Sequence, residues 1–179
     1  MIIRKKFKFE GAHIVRNCST DRCKKSIHGH SYEVEVFFTS NKLDNGYMIV
    51  DFGLTKKHIH DLIDSFDHAY TLWSGESKEF KEFFKSNSER WIEIPLSPSA
   101  ESYSLMFLKF IDLILKNTQF TNGEGSVQVS SVRVHETKTG YAEAFREDMK
   151  MIEFDLNKVI FSQGVIEEWK DREMLLGVL

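Results

Sequence analysis

The sequence predicts an α+β fold in which a four-stranded antiparallel sheet carries two helices on one face. Two alternating segments lie near the start of the chain, two apolar segments of helical period occupy its middle, and two further alternating segments follow. The order strand, strand, helix, helix, strand, strand is typical of α+β proteins, whose helices pack on one side of an antiparallel sheet. Because a four-stranded sheet has two open edges, we also expect oligomerisation to cover them.

The first two strands are predicted at residues 2–12 and 31–40. In the first, isoleucine and phenylalanine alternate with charged neighbours. In the second, Tyr32, Val34 and Val36 share one face and two glutamates occupy the other. Alternation of this kind indicates a strand with one buried side.

Two long helices are predicted at residues 54–66 and 99–116, with a shorter amphipathic helix at 76–87. The second long helix follows Ser97-Pro98, a pair suited to an N-cap followed by proline at the first helical position. The first helix has its apolar residues at positions i, i+3, i+4 and i+7, namely Ile59, Leu62, Ile63 and Phe66.

The last two strands are predicted at residues 127–137 and 142–154, with Gly140 in the turn between them. Residues 155–179 follow as a tail that ends in a short helix. No repeat or low-complexity segment interrupts this order.

Composition excludes several classes of protein. The net charge is −3, and proteins that bind nucleic acids broadly have a strong basic field instead. Two cysteines are too few for a disulfide framework. No segment reaches the roughly 20 apolar residues of a membrane-spanning helix, and the N-terminus lacks the apolar core of a signal peptide. We therefore expect a cytoplasmic protein with free thiols and with neither nucleic-acid nor membrane partners.

Three histidines form a candidate metal site. His28 and His30 are two residues apart at the start of the second strand, so their side chains point to the same face. If the first two strands pair as a hairpin, His13 at the end of the first lies beside them. A lone His-x-His pair is more often a polar surface feature, but a third histidine at the pairing position favours metal binding. Three imidazoles with an open fourth position are typical of catalytic zinc.

Cys23 precedes this site by a few residues and has two interpretations. Its thiolate is a possible fourth zinc ligand, which would close the site and make it structural. Alternatively, the thiol stands off the metal as an acid/base group, favoured by the neighbouring Arg22, Lys24 and Lys25. Spacing leaves both interpretations open.

Three carboxylates are further candidates. Asp67 is next to His68 and can orient an imidazole, although a histidine after a helix is also favoured by the helix dipole alone. Glu101 is explained equally well as a first-turn acid. Glu136 shares a strand face with apolar residues, so its carboxylate needs a partner; a guanidine-like heterocycle would fit, and a solvated strand end is the alternative.

Together these features resemble the 6-pyruvoyl-tetrahydropterin synthase and 6-carboxytetrahydropterin synthase family over roughly residues 5–150. Six motifs in the family's order support the resemblance: FEGAH at 9–13, Cys23 before HGHSY at 28–32, MIVDF at 48–52, Asp67-His68, PSAE at 98–101 and Glu136-Thr137.

The resemblance implies the tunnelling fold (T-fold), in which sheets of several subunits join into an oligomeric barrel, commonly a hexamer of two trimers. It implies Zn²⁺ on the three histidines, Cys23 as the acid/base thiol rather than a ligand, and Asp67 with His68 as its partner dyad. Substrate binding is implied for Glu136, which grips the pterin ring, and for Glu101 and Ser99.

The implied substrate is 7,8-dihydroneopterin triphosphate. In the 6-carboxytetrahydropterin synthase branch, which bacterial members resembling this chain follow, triphosphate and acetaldehyde leave, and the product enters 7-deazaguanine and queuosine synthesis. The 6-pyruvoyl branch keeps the side chain for tetrahydrobiopterin. A zinc- or pterin-binding module without activity is a third hypothesis.

Two segments depart from the family's pattern. Residues 69–97 are longer than its usual connection by about a short helix, and residues 155–179 are additional. We therefore predict a T-fold domain at 1–154 with an insertion around 69–97, followed by a C-terminal extension at 155–179.

Overall fold

The computed structural model describes residues 1–178. Its strands, in chain order, are β1 (Ile2–His13), β2 (His28–Thr39), β3 (Ala69–Trp73), β4 (Trp91–Ile94), β5 (Gln128–Thr137), β6 (Gly140–Phe145) and β7 (Ile160–Phe161). Its α-helices are α1 (Asp21–Lys25), α2 (His58–Asp64), α3 (Lys78–Asn87), α4 (Ala100–Asn117), α5 (Gln163–Glu168) and α6 (Arg172–Val178). Short 3₁₀ segments cover Phe52–Lys56, Arg146–Lys150 and Leu156–Lys158.

All seven strands form one sheet in the order β6-β5-β2-β1-β3-β4-β7. The α+β class is confirmed, but the prediction of four antiparallel strands is wrong. The four predicted strands form the antiparallel part, β6-β5-β2-β1. Beyond β1 the sheet becomes mixed, because β3 runs parallel to β1, β4 runs parallel to β3, and β7 returns antiparallel to β4.

The added strands escaped prediction because they are short and lack alternation. Every residue of β3 except Trp73 is buried. A strand that is covered on both faces reads as a short apolar run, which periodicity does not distinguish from other buried segments. Both β3 and β4 lie within residues 69–97, so this segment widens the sheet as well as adding a helix.

Several predicted boundaries also shift. Strand β2 begins at His28 rather than residue 31, and α1 forms between the first two predicted strands, where no helix was predicted. The predicted strand 142–154 ends at Phe145, where the backbone N–H donates to the Asp148 carboxylate and a 3₁₀ segment begins. Helix α4 is capped by Ser99, one residue past the predicted proline start.

The main core lies between one face of the sheet and helices α2 and α4, as predicted for two helices on one side. Side chains of β1, β2 and β5 at alternate positions are buried there, including Phe9, Val34 and Val132. Helix α3 packs on the opposite face, where Phe80 and Phe84 cover a smaller apolar cluster. The sheet is therefore covered on both sides near β3.

The C-terminal segment packs against the same core. The Trp169 indole is buried and donates a hydrogen bond of 2.8 Å to the Ser65 hydroxyl after α2. Its ring centroid lies 5.2 Å from that of Phe161 in β7. The division into residues 1–154 and 155–179 remains a prediction, and Leu179 lies outside the described residues.

Three strand edges lack a partner, in whole or in part, within residues 1–178. Strand β6 ends the sheet on one side and the two-residue β7 ends it on the other. On its second edge, β1 pairs with β3 only over Gly11–His13, so the stretch that begins at Ile2 has no strand beside it. Unpaired strand edges are templates for pairing with another chain. None of the helices within residues 1–178 is both long and apolar enough to cross a membrane.

Replacing Trp169 with alanine is expected to lower the free energy of unfolding by about 3–5 kcal/mol, because a buried aromatic side chain leaves a cavity. Chemical denaturation followed by circular dichroism measures the change. Leu176→Ala, at a residue of the same segment that is 57% exposed, is the control and should cost less than about 1 kcal/mol. Equal effects of the two substitutions would contradict the described packing of Trp169.

Candidate functional site

Three histidines converge at the end of the core face of the sheet. The antiparallel register places His13 directly opposite His28, and His30 lies two residues further on the same face. One ring nitrogen from each lies within 4.8 Å of those of the other two. Within residues 1–178, neither Cys23 nor Glu136 joins this group at that limit.

The hydrogen bonds of these rings leave nitrogen lone pairs free to bind a cation. His13 Nδ1 lies 2.5 Å from the carbonyl oxygen of Pro98, and His28 Nδ1 lies 3.0 Å from that of Ser26. A carbonyl only accepts, so in both rings Nδ1 carries a proton, and in the neutral tautomer Nε2 is the nitrogen with a free lone pair. His30 Nε2 is buried and has no hydrogen-bond partner. This orphaned atom and the donor set of three imidazoles fit a divalent metal such as zinc.

Burial also favours the neutral form of His13 and His30. Desolvation, aided by the nearby His28 and His30, lowers the pKa of His13 to about 4, although the bond to Pro98 opposes the shift. Desolvation likewise lowers the pKa of His30, and the Glu136 carboxylate partly offsets it. Neutral imidazoles are the form that binds metal.

Glu136 reaches the histidines from β5. Its Oε1 lies 3.7 Å from His13 Nε2 and 3.8 Å from His30 Nε2. It occupies the same face as Val134, which is completely buried. The carboxylate is one-third exposed and opens toward a cavity.

This cavity has a volume of about 450 Å³ and brings together most of the predicted site residues. Ser99 also caps α4, since its hydroxyl accepts from the Ser102 N–H at 3.3 Å. Glu101 is exposed in the first turn of that helix. The predicted site residues lining the cavity are Cys23, His28, His30, Ser99, Glu101 and Glu136.

His68 lines a second cavity of about 540 Å³, whose walls include Tyr70, Phe84 and Asn87 from residues 69–97. His30 lies on the walls of both cavities, so the two adjoin at the histidine cluster. Within one chain, His68 and Cys23 therefore line different cavities.

The dyad itself is rigidly built. Asp67 Oδ1 accepts from the Glu10 N–H at 2.6 Å, and the His68 N–H donates to the Glu10 carbonyl at 2.7 Å. His68 Nδ1 lies 2.7 Å from Asp67 Oδ2, and its ring is 77% exposed. Burial raises the pKa of Asp67, but the bonds from Glu10 and His68 outweigh it and hold the pKa below its usual value. His68 has a φ of 51°, a sparsely populated conformation for a residue with a Cβ.

Sequence reasoning missed the groups that support His13. The Pro98 carbonyl comes from the turn before α4, and the Tyr103 ring stacks near the imidazole with centroids 6.4 Å apart. Tyr32 approaches from β2, with its hydroxyl 3.4 Å from both ring nitrogens. The apolar spacing of α4 places Tyr103 in the core, but no local pattern indicates the carbonyl.

Solved structures share this architecture. An uncharacterized protein of Wolinella succinogenes superimposes with a TM-score of 0.64 at 20% identity, covering 82% of this chain and 98% of its own. The 6-pyruvoyl tetrahydropterin synthase of Plasmodium vivax gives a TM-score of 0.55 at 20% identity with the same coverage. The fold is therefore the tunnelling fold of the pterin synthases, with a histidine cluster where its first two strands meet.

Sequence comparison is more specific. The model of the 6-pyruvoyl tetrahydropterin synthase family matches residues 2–147. The 6-carboxy-5,6,7,8-tetrahydropterin synthase of Helicobacter pylori strain J99 is 48% identical over 183 positions, covering all of this chain and 92% of its own. The chain belongs to the 6-pyruvoyl tetrahydropterin synthase family, which confirms the resemblance of its motifs.

Gly29 determines how closely the two histidine-bearing strands approach. A Cβ at this position would lie 2.9 Å from the backbone oxygen of Gly11 in β1, too close without moving a strand. We expect Gly29→Ala to shift His28 and His30 relative to His13 and to weaken Zn²⁺ binding by about tenfold or more, the scale seen when metal ligands lose their orientation. Competition titration with a chromophoric chelator measures the affinity.

Gly140→Ala is the matched control. A Cβ there meets only the Thr137 hydroxyl oxygen at 3.4 Å, an ordinary contact. It should leave Zn²⁺ affinity unchanged. If Gly29→Ala behaves in the same way, close strand approach is not needed for the metal site.

Proposed function

We propose that this protein is a zinc-dependent 6-carboxy-5,6,7,8-tetrahydropterin synthase. It converts 7,8-dihydroneopterin triphosphate and one water to 6-carboxytetrahydropterin, acetaldehyde and triphosphate, a lyase step of 7-deazaguanine and queuosine synthesis in the cytoplasm. The observation that carries the proposal is the convergence of three imidazoles beside a cavity that is also lined by Cys23 and Glu136. The full-length similarity to the Helicobacter pylori protein of that name supports the choice of branch.

Zinc would be held by Nε2 of His13, His28 and His30. Its ligand set leaves a position open, because Cys23 lies outside the group of converging nitrogens. This arrangement favours the acid/base interpretation of the thiol over a closed structural site. When bound, the metal supplies Lewis-acid polarisation of substrate oxygens.

The cavity has the chemistry needed to hold a pterin. The Glu136 carboxylate can accept two hydrogen bonds from the guanidine-like edge of the ring, in the manner of a carboxylate pairing with arginine. Ser99 and Glu101 lie at the N-terminal end of α4 on the same cavity. Glu136 thus orients the pterin ring so that the side chain of the substrate extends toward the histidines.

Proton transfer is assigned to Cys23 and to the Asp67–His68 dyad. Cys23 takes a proton from the substrate's side chain, and His68 returns or relays one. Asp67 fixes the imidazole through the 2.7 Å contact to Nδ1, which leaves Nε2 of His68 facing outward as the exchanging atom.

The separation of the dyad from Cys23 within one chain indicates a composite site. We propose a homohexamer built as a dimer of trimers, in which the open edge of β1 pairs with β6 of a neighbour and closes the sheets into a barrel. The exposed His68 of the partner subunit then completes the cavity that contains Cys23. Residues 1–154 form the T-fold domain, and the insertion at 69–97 and the extension at 155–179 build additional surfaces on it.

Incubation of the zinc-loaded protein with 7,8-dihydroneopterin triphosphate should yield 6-carboxytetrahydropterin and equimolar acetaldehyde and triphosphate. Liquid chromatography with mass spectrometry identifies the pterin, and an alcohol dehydrogenase assay measures acetaldehyde. Formation of 6-pyruvoyl-tetrahydropterin without acetaldehyde would instead assign the chain to the 6-pyruvoyl branch. The name of the matching family model favours that activity.

Cys23→Ala and His68→Ala serve as the controls for this assay. Each should lower kcat by about 100-fold or more while zinc content stays the same, since acid/base groups typically contribute 10²–10⁴-fold. Unchanged turnover in both variants would remove these residues from the mechanism. Absence of turnover in the wild-type protein itself would favour a zinc- or pterin-binding module.

A mixing experiment tests the composite site. Cys23→Ala and His68→Ala chains are each inactive, but in mixed oligomers some cavities receive both intact groups from different chains. With random mixing, about a quarter of the sites are complete, so about a quarter of wild-type turnover should return. Co-refolded mixtures that stay as inactive as the separate variants would show that both groups act from one chain.

A further inference from the structure

The loop that carries Cys23 has few anchors of its own. Helix α1, which contains Cys23, is five residues long, buries no side chain and has no side-chain hydrogen bond at its N-cap. Local backbone contacts are limited, the main one being the Val15 N–H donating to the Cys23 carbonyl at 3.1 Å. A short helix of this kind is marginal without tertiary contacts. The thiol therefore needs a contact from the β1–β2 connection, residues 14–27, to the rest of the fold to keep its place on the cavity.

Arg16 supplies that connection. Its Nε donates to Glu76 Oε1 at 2.7 Å, and its Nη1 donates to the Lys24 carbonyl at 3.3 Å, next to Cys23. The guanidinium also lies 5.1 Å from the ring centroid of Phe80. One planar group therefore contacts the Cys23 loop on one side and the insertion on the other, a geometry suited to arginine and not to lysine.

Glu76 is itself held firmly by the insertion. It follows Trp73 in a tight turn, where the Glu76 N–H donates to the Trp73 carbonyl at 3.0 Å. Its side chain is only 9% exposed. Phe80, in the first turn of α3, packs with Phe84 and Tyr70 in the smaller apolar cluster, on the face of the sheet opposite the main core. Both partners of Arg16 thus belong to a rigid part of the fold.

We propose that Arg16 and Glu76 are positioning residues that fix the Cys23 loop, and that the insertion around 69–97 serves the active site through them. The proposal rests on the function proposed above for the role of Cys23. Neither Arg16 nor Glu76 lines the Cys23 cavity, so they act through the loop. Small displacements of a reacting group are costly, and a shift of about 1 Å lowers rates by up to about 100-fold.

The test uses Glu76→Gln, which keeps the shape of the side chain and removes its charge. In a Cys18→Ser background Cys23 is the only cysteine, so the rate of iodoacetamide alkylation of the zinc-loaded protein reports its exposure directly. We expect this rate to rise severalfold and kcat to fall by about tenfold, with zinc content unchanged because the histidines lie on strands β1 and β2. Arg16→Lys should show the same changes, and Arg16→Ala larger ones.

Glu82→Gln is the matched control, because Glu82 lies in the same insertion and forms an exposed ion pair with Lys78. It should change neither measurement. An alkylation rate in Glu76→Gln equal to that in Glu82→Gln would overturn the proposal, as would a loss of zinc in step with turnover. Alkylation of Cys23 does not depend on catalysis. If the wild-type protein fails to turn over dihydroneopterin triphosphate, the proposed function is refuted, and the alkylation rate still decides whether Arg16 and Glu76 position the Cys23 loop.

Discussion

The antiparallel register between β1 and β2 is the constraint on which the site depends. Pairing His13 with His28 brings the end of one strand to the start of the next, and the two-residue period adds His30 on the same face. A shift of one residue would turn these rings to the other side and would also expose the core residues of β2. The hydrophobic effect that buries Tyr32 and Val34 therefore fixes the histidine cluster as well.

The core also determines the electrostatic character of the cluster. His13 is completely buried at the end of an aromatic layer that includes Phe9 and Tyr103. Desolvation there keeps its imidazole neutral, and the Pro98 carbonyl determines which nitrogen carries the proton. Cys23, on the wall of the adjacent cavity, lies on a five-residue helix that buries no side chain. The histidine cluster thus borders a thiol on a short helix with few contacts of its own, and this difference explains why we propose that Arg16 and Glu76 support it.

Sequence periodicity was sufficient for β1 and β2, because each has one buried and one more exposed side. Helix α4 is buried around most of its circumference, and its length and apolar character indicated it instead. Parity alone placed His28 and His30 together, and the hairpin argument added His13. Strands β3 and β4 were missed because burial on both faces removes the alternating pattern. The separation of His68 from Cys23 and the contact between Arg16 and Glu76, 60 residues apart in sequence, depend on chain packing. No local spacing encodes such contacts.

Strand β3 has a further effect on any chain that pairs with β1. It occupies the second edge of β1 over Gly11–His13, and the Asp67–His68 turn takes the backbone groups of Glu10 just before it. An incoming strand therefore meets a physical stop and can align only with the stretch that begins at Ile2. Strand β6, six residues long, fits this interval. In the proposed oligomer, β3 would therefore exclude slipped pairing registers that an unobstructed strand edge would accept.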